Sequence, residues 1–339
     1  MRLFLKFSLL LSIIMIATSI ILPRRYDLEF PRTPGPVLTP RIRTTYTDIM
    51  VEQEPEIVLI GDSTLGNGVD ADMLAQQTGK SIYSISIPGS ASSLWYLILK
   101  NNIAISPYKP KYYVVIFRDT ILTAPGYRVH GSYLELADEY AERHETKFIQ
   151  LSFINLMNPL EITAERYLPL YFSRANIRSS IDFHLRYFAP KLINCGKDCT
   201  DAAMSNMFQA ADLEPHALVD AVASAESYLY TPDQLNFDAQ VGRSYLPEMI
   251  RIAKENNIQL VFVRIKIESA DSKATSSPAF KEYISSLANY LANEKIPLLD
   301  FSADPRLTHD LFKDSIHLSE QGRVIFTQLF ADELKKIVK

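Results

Sequence analysis

The stretch EIVLIGDS, residues 56–63, decides the fold. Its first five residues are mostly apolar and lead into a glycine, which is typical of a strand buried on both faces. Two similar runs follow, SIYSISI at residues 81–87 and YYVVIF at residues 112–117. Helical patterns at residues 70–77 and 92–101 separate the three runs. This alternation predicts a parallel sheet with helices on both faces.

The same alternation returns near the C-terminus, where two more strands are predicted, at residues 259–265 and 296–300. Helical patterns flank them at residues 243–256, 278–293 and 319–338. The second of these helices carries its apolar residues on one face. The third begins with a serine, which is a suitable N-cap. Together the elements predict a three-layer αβα architecture.

Residues 120–238 interrupt this alternation. The stretch holds many aromatic residues and four of the six histidines of the chain, namely His130, His144, His184 and His216. We interpret it as a largely helical insertion between the third and fourth strands. It divides the predicted core into a first part at residues 56–119 and a second part at residues 239–339.

The N-terminus carries a separate apolar signal. Arg2 and Lys6 precede an apolar run at residues 7–22, which approaches the ~20 residues that span a bilayer. We interpret residues 1–25 as an uncleaved membrane anchor; a cleaved signal peptide is the alternative, although the run ends without a small-residue cleavage site. The proline-rich residues 26–55 are interpreted as an extended spacer. This arrangement predicts that the large domain lies outside the cytoplasm.

Composition narrows the classes of function. Of the 339 residues, 47% are hydrophobic and 22% charged, which are globular proportions, and the net charge of -4 argues against nucleic-acid binding. A phosphate-binding loop motif and a zinc-ligand cluster are both missing, so neither a cofactor nor a metal is predicted. Cys195 and Cys199 are the two cysteines. They suit a local disulfide in an oxidising compartment, with two free thiols as the alternative.

Two short motifs could carry chemistry. Ser63 follows the first predicted strand, and ligands of open parallel sheets bind beyond the carboxyl ends of the strands. Asp314 and His317 lie in the loop before the last helix. A serine hydroxyl needs a base to act as a nucleophile, and a histidine held by a carboxylate can supply one. Each motif is weak by itself, but together they suggest a catalytic triad.

In this combination the chain resembles the SGNH/GDSL hydrolase superfamily, whose first block is Gly-Asp-Ser and whose last is Asp-x-x-His. The resemblance covers residues 56–119 and 240–339 and implies a flavodoxin-like sheet. It implies that Ser63 is the nucleophile, His317 the general base and Asp314 the residue that orients it. Gly89, after the second strand, matches the second block of the family. The resemblance implies that its N–H and that of Ser63 form the oxyanion hole.

One block departs from the family pattern. The family places Gly-x-Asn-Asp after the third strand, and here Arg118 and Asp119 stand there without an asparagine. Arg118 could donate to the oxyanion, bind an anionic group of the substrate, or pair with Asp119. Asp62 and Asp119 could contact substrate, although Asp62 could instead brace the turn. His130, close in sequence to Arg128 and Tyr133, could line the site or lie at the surface.

Membrane-anchored members of this superfamily work beside polysaccharide export systems, where they move or remove acyl groups. The resemblance therefore implies an esterase or O-acyltransferase, most simply an O-acetyl one, that acts on an acylated carbohydrate. A membrane-bound O-acyltransferase is a possible partner. The alternative is a catalytically weak protein that retains the scaffold and docks to such an acyltransferase or polysaccharide system.

Overall fold

A computed structural model describes residues 2–27, 29–39, 41–174, 177–178, 180–181, 183–184, 187–188, 194–202, 226–268 and 277–338. His216 and the centre of the predicted insertion lie outside these residues. The chain forms two compact units, which are described separately. The first unit comprises residues 1–36 and 156–225, and the second comprises residues 37–155 and 226–339.

The α-helices, in chain order, are α1 (Arg2–Tyr26), α2 (Thr45–Gln53), α3 (Ser63–Gly68), α4 (Ala71–Thr78), α5 (Ser92–Ile98), α6 (Ser132–Asp138), α7 (Thr146–Ser152), α8 (Pro159–Tyr167), α9 (Pro169–Phe172), α10 (Phe237–Val241), α11 (Leu246–Glu255), α12 (Pro278–Asn293) and α13 (Glu320–Leu334). The strands are β1 (Ile57–Gly61), β2 (Ile82–Ser86), β3 (Tyr112–Phe117), β4 (Gln259–Arg264) and β5 (Leu298–Asp300). Each lies where the sequence predicted a strand, to within two residues at either end.

The five strands form one sheet in the order β2-β1-β3-β4-β5, and every neighbouring pair is parallel. The predicted parallel α/β class is therefore confirmed. The chain winds from β1 outward to β2 and then crosses back to β3, so the direction of winding reverses beside β1. In sheets of this order the reversal opens a crevice at the carboxyl ends of the strands.

Helices cover both faces of the sheet. On one face, α3, α4 and α13 pack on β1, β3 and β4 in a single apolar cluster that includes Leu65, Leu74, Phe326 and Phe330. On the other face lie α5 and α11, and the Tyr113 hydroxyl of β3 donates to the Trp95 carbonyl of α5 at 3.1 Å. Because both faces are covered, every residue of β1 and β3 is buried.

Two segments differ from the sequence-based expectation. The helix predicted to reach residue 101 ends at Ile98 and continues as a π-helical turn, Leu99–Ile103. The predicted extended spacer is wrong over α2, which is helical and buries Met50 completely. Thr47 on α2 donates to the Asn102 carbonyl at 3.1 Å. α2 thus lies against the π-helical turn, and the prolines before it obscured its helical pattern.

The predicted insertion is divided between the two units, at residues 155 and 156 and again at residues 225 and 226. Its described residues form helices and turns, and no strand occurs among them. Only the parts nearest to β3 and α11 belong to the unit that contains the sheet.

The first unit contains α1, a 25-residue helix. An 18-residue window of this helix reaches a mean hydropathy of 2.3, and the helix is long and apolar enough to cross a membrane. Within the unit, the Arg32 N–H donates to the Arg166 carbonyl at 3.1 Å, and its guanidinium pairs with Glu165 at 3.3 Å. Cys195 and Cys199 form a disulfide, with Cα atoms 5.3 Å apart.

Gly322 in the first turn of α13 tests the packing of this helix. A methyl group added there would lie 2.2 Å from the Leu311 carbonyl oxygen, so the backbone would have to move. We expect Gly322→Ala to lower the free energy of unfolding by about 1–3 kcal/mol, measured by urea titration in detergent. Gly242→Ala is the control, because a methyl group there meets nothing within 4 Å. Equal stability of the two variants would contradict the packing described here.

Candidate active site

The turn after β1 positions Ser63 at the carboxyl edge of the sheet. Asp62 caps α3, because its Oδ1 accepts from the Thr64 N–H at 2.8 Å and from the Thr64 hydroxyl at 2.6 Å. Gly61 allows the chain to pass close to β3, since a methyl group there would lie 2.9 Å from the Ile116 carbonyl oxygen. Ser63 is the first residue of α3 and remains partly accessible.

The loop before α13 positions His317. Ser319 caps α13, as predicted: its Oγ accepts from the Gly322 N–H at 3.2 Å and donates to the Leu311 carbonyl at 3.0 Å. Across the same loop, the Lys313 N–H donates to the His317 carbonyl at 3.0 Å. These bonds close the chain into a tight loop around residues 311–319 and so fix the backbone position of His317.

The three residues of the sequence-predicted triad lie in hydrogen-bonded series. The His317 Nε2 is 2.7 Å from the Ser63 Oγ. Its Nδ1 is 2.9 Å from the Asp314 Oδ2. The two ends of the sequence thus meet over a separation of 254 residues. This arrangement lets the imidazole accept the serine proton while the carboxylate holds the opposite nitrogen.

Backbone hydrogen bonds hold Asp314 in its ionised form. Its Oδ1 accepts from the N–H groups of Ile316, at 2.9 Å, and His317, at 2.8 Å. Burial alone would raise the pKa of the Asp314 carboxyl, but these bonds and the one from the His317 ring lower that pKa below its ordinary value. An ionised carboxylate favours the tautomer with a proton on Nδ1, which leaves Nε2 free to act as the base.

The Gly89 turn lies against the Ser63 turn. The Ser86 hydroxyl donates to the Asp62 carbonyl at 3.1 Å, and the Ser90 hydroxyl donates to the Gly61 carbonyl at 3.2 Å. Gly89 has a φ of +74°, which favours glycine. The Ser63 N–H, at the start of a helix, has no acceptor within that helix. Among the described residues the Gly89 N–H also has no acceptor. Both groups can therefore donate to a substrate oxygen.

Arg118 is committed to a buried ion cluster. Its Nη1 lies 2.6 Å from the Asp119 Oδ2 and 2.5 Å from the Glu226 Oε2, and its Nη2 donates to the Glu226 Oε1 at 2.9 Å. The side chain is only 3% exposed. Burial alone would lower the pKa of Arg118, but Asp119, Glu226 and Asp62 raise it well above its ordinary value. Of the three roles that the sequence left open, this geometry supports the ion pair.

The carboxylates of the cluster are buried as well. Asp119 accepts from the Tyr230 hydroxyl at 2.5 Å, and Asp62 lies 3.6 Å from the Arg118 Nε. Burial would raise the pKa of Glu226, but hydrogen bonds from Arg118 and Tyr127 and the charge of Arg128 lower it. Asp62 and Asp119 therefore brace the turns around Ser63, which argues against their predicted contact with substrate.

His130 does not join the site in this structure. Its ring lies edge-on to the ring of Phe153, with centroids 5.4 Å apart, and the residue is exposed. Its sequence neighbours Arg128 and Tyr133, rather than His130, approach Gly89. The left-handed backbone at Arg128, with a φ of +53°, redirects the chain between them. The predicted substrate contact by His130 is therefore not supported.

Sequence reasoning missed Glu226, which holds both Arg118 and Arg128. It lies 108 residues from Arg118, near the end of the predicted insertion, and no local motif surrounds it. The one available signal was Arg118 itself, because an arginine that is buried at a strand end requires acidic partners.

Glu226 also gives a pH-dependent test of the ion cluster. We expect Glu226→Gln to lower the free energy of unfolding by about 3 kcal/mol at neutral pH, because it breaks a buried pair. The folded-state pKa of Glu226 is lowered, so its contribution is present above the unfolded value of ~4.3 and is lost as the pH falls through the folded value. Urea titrations from pH 7 to pH 3 should show the two proteins converging.

Glu255→Gln is the matched control for that titration. Glu255 pairs with Arg251 on the surface of α11, where both side chains are more than half exposed. Such pairs contribute at most about 1 kcal/mol. A Glu226→Gln protein no less stable than this control at neutral pH would contradict the role given to the cluster.

The matches between this chain and known proteins come from solved structures. No family model and no curated protein matches the chain. Three similar solved structures are a Bacteroides fragilis protein described as an acylhydrolase, a GDSL-like lipase from Bacteroides thetaiotaomicron and a mutant of an acetyl-xylooligosaccharide esterase from Geobacillus. Their identities are 11%, 11% and 10%, and their TM-scores are 0.40, 0.38 and 0.38. The likenesses cover 87%, 87% and 83% of this chain and 96%, 99% and 94% of those chains.

Proposed function

We propose that this protein is a serine esterase or O-acyltransferase that works through an acyl-Ser63 intermediate. The observation that carries the proposal is the hydrogen-bonded series from the Ser63 Oγ through both nitrogens of His317 to Asp314, with distances of 2.7 Å and 2.9 Å. A nucleophile, a base and a group that orients the base are the parts that acyl transfer requires. All three lie on one edge of the sheet.

The first half-reaction forms the acyl-enzyme. The Ser63 Oγ attacks the ester carbonyl carbon as its proton passes to the His317 Nε2. The carbonyl oxygen becomes an oxyanion, to which the N–H groups of Ser63 and Gly89 donate. Such donors act on charge that develops in the transition state. When the C–O bond of the ester breaks, the leaving alcohol takes the proton from His317.

The second half-reaction decides between hydrolysis and transfer. Either water or a sugar hydroxyl attacks the acyl-Ser63 carbonyl carbon and gives its proton to His317. Collapse of the oxyanion releases the acid or the new ester and returns the proton to the Ser63 Oγ. The chemistry of Ser63, His317 and Asp314 is the same for both acceptors, so the acceptor decides the outcome.

The proposed setting is the outer side of a membrane. The length and apolar character of α1 support an anchor, and a disulfide such as Cys195–Cys199 persists in an oxidising compartment. An enzyme held there would meet acylated glycans of the cell envelope or glycans in export. We therefore propose an acylated carbohydrate as the substrate and an acetyl ester as the simplest bond.

The second candidate function is a scaffold protein with little catalysis, which would dock to a membrane-bound O-acyltransferase or polysaccharide system. One observation favours it. The side chain that follows β3, Arg118, is buried and both of its Nη atoms are bound to carboxylates of the ion cluster. A scaffold would keep its function when Ser63 is replaced, whereas an enzyme would lose it.

Labelling of Ser63 separates the two candidates. We expect a fluorophosphonate to label the wild-type protein. Ser63→Ala and His317→Ala should abolish labelling and should lower hydrolysis of p-nitrophenyl acetate by about 10³-fold or more. Asp314→Asn should lower kcat by roughly 10³–10⁴-fold, because the tautomer of His317 is then wrong. Mass spectrometry of the labelled peptide and initial rates provide the measurements.

Two exposed residues of the same types serve as controls, Ser285 on α12 and His144 before α7. Their alanine variants should be labelled and should turn over ester like the wild type. A folded wild-type protein that is neither labelled nor active would contradict the proposal and favour the scaffold.

The acceptor and the anchor can be tested together in the full-length protein. With an acetyl ester as donor and a neutral oligosaccharide as acceptor, a transferase should yield acetylated sugar, whereas an esterase should release free acetate. Mass spectrometry distinguishes the products.

The full-length chain should also stay with membranes in alkaline carbonate, while a chain without residues 2–25 should not. Release of the intact full-length chain by carbonate would contradict the anchor.

A further inference from the structure

We propose that Arg128 is a third donor to the oxyanion, an inference that rests on the proposed function. Arg128 lies between α6 and the turn after β3, in the part of the insertion that belongs to the sheet-containing unit. It is the accessible cation of the ion cluster, with 21% of its side chain exposed against 3% for Arg118.

The guanidinium of Arg128 lies against Gly89. A methyl group built on Gly89 would be 3.1 Å from the Arg128 Nη1, 3.1 Å from the Tyr133 hydroxyl and 2.8 Å from the Tyr133 Cε1. Nη1 is therefore close to the backbone whose N–H is one of the two proposed oxyanion donors. A side chain at residue 89 would push Arg128 and Tyr133 away.

One edge of the guanidinium is held and the other is free to donate. The Arg128 Nη2 donates to the Glu226 Oε1 at 3.0 Å. For Nη1, the described residues supply no hydrogen-bond acceptor. The rings of Tyr127 and Tyr133 lie 5.0 Å and 5.5 Å from the guanidinium carbon, which are distances of cation–π contact. Nη1 is thus held beside Gly89 with its hydrogens available.

The backbone of Arg128 adopts a conformation that is rare for residues other than glycine. Its φ of +53° lies in the left-handed region, which is unfavourable for a residue with a side chain. Such conformations persist where the surrounding structure holds them, and they cluster at functional sites. Here the contacts with Glu226 and the two tyrosines provide that support.

The net charge of the cluster argues against the binding of an anionic substrate group. Two cations, Arg118 and Arg128, face three carboxylates, namely Asp62, Asp119 and Glu226. The cluster is therefore one negative charge in excess and would not attract a free anion. A donor that meets negative charge only when the tetrahedral intermediate forms would act on the transition state and raise kcat rather than tighten substrate binding.

Arg128→Met in the full-length protein tests this role, because it keeps an unbranched stem and removes the donors. We expect kcat for p-nitrophenyl acetate to fall about 10²–10³-fold, as for the loss of one oxyanion donor, with KM changed by less than about threefold. Guanidinium ion in the buffer should restore part of the kcat of Arg128→Ala. Arg251→Met, on the exposed face of α11, should match the wild type.

The outcomes separate this inference from the proposed function. A wild-type protein that is inactive and unlabelled would overturn both. Wild-type activity with an unchanged kcat in Arg128→Met would overturn the donor role alone, and so would a raised KM at constant kcat, which would instead indicate substrate binding. A lower kcat that guanidinium ion fails to restore, together with a lower Tm, would assign Arg128 a structural role and would also overturn the inference.

Discussion

The hydrogen bond between the Ser63 Oγ and the His317 Nε2 is the contact on which the account of this protein depends. It joins residues 254 positions apart at 2.7 Å, and neither local turn could form it alone. Ser63 is placed by the end of β1, and His317 by the capped start of α13. Residues of both elements belong to one apolar cluster on one face of the sheet. The geometry of the triad therefore depends on the packing of the core.

A second constraint lies beneath the triad, in the ion cluster around Arg118. Buried charges are stable only when they are paired, and Glu226 supplies the pairing from the far end of the predicted insertion. The cluster therefore attaches that segment to the carboxyl ends of the strands. Because Glu226 also holds Arg128 at 3.0 Å, one carboxylate connects the buried structural arginine with the accessible one beside Gly89.

The sequence predicted the parts of this structure that repeat a local pattern. The apolar runs and their turn residues located all five strands, and the two motifs named three side chains that lie in hydrogen-bonded series, because strand ends of a parallel sheet share one edge. Contacts between distant segments were beyond such reasoning. Glu226 has no motif, α2 followed a proline-rich stretch, and the burial of Arg118 depends on partners that sequence distance conceals. The role predicted for His130 remains a prediction, since the contact that the structure shows for its ring is with Phe153.

The most direct test of the central claim is to observe the intermediate. The protein would be mixed with a slowly hydrolysed acetyl ester, quenched in acid within the first turnover and digested for mass spectrometry. The account predicts one added acetyl group on the peptide that contains Ser63. Turnover of the ester with no acetyl group on that peptide at any quench time, or with the acetyl group on a different residue, would contradict it.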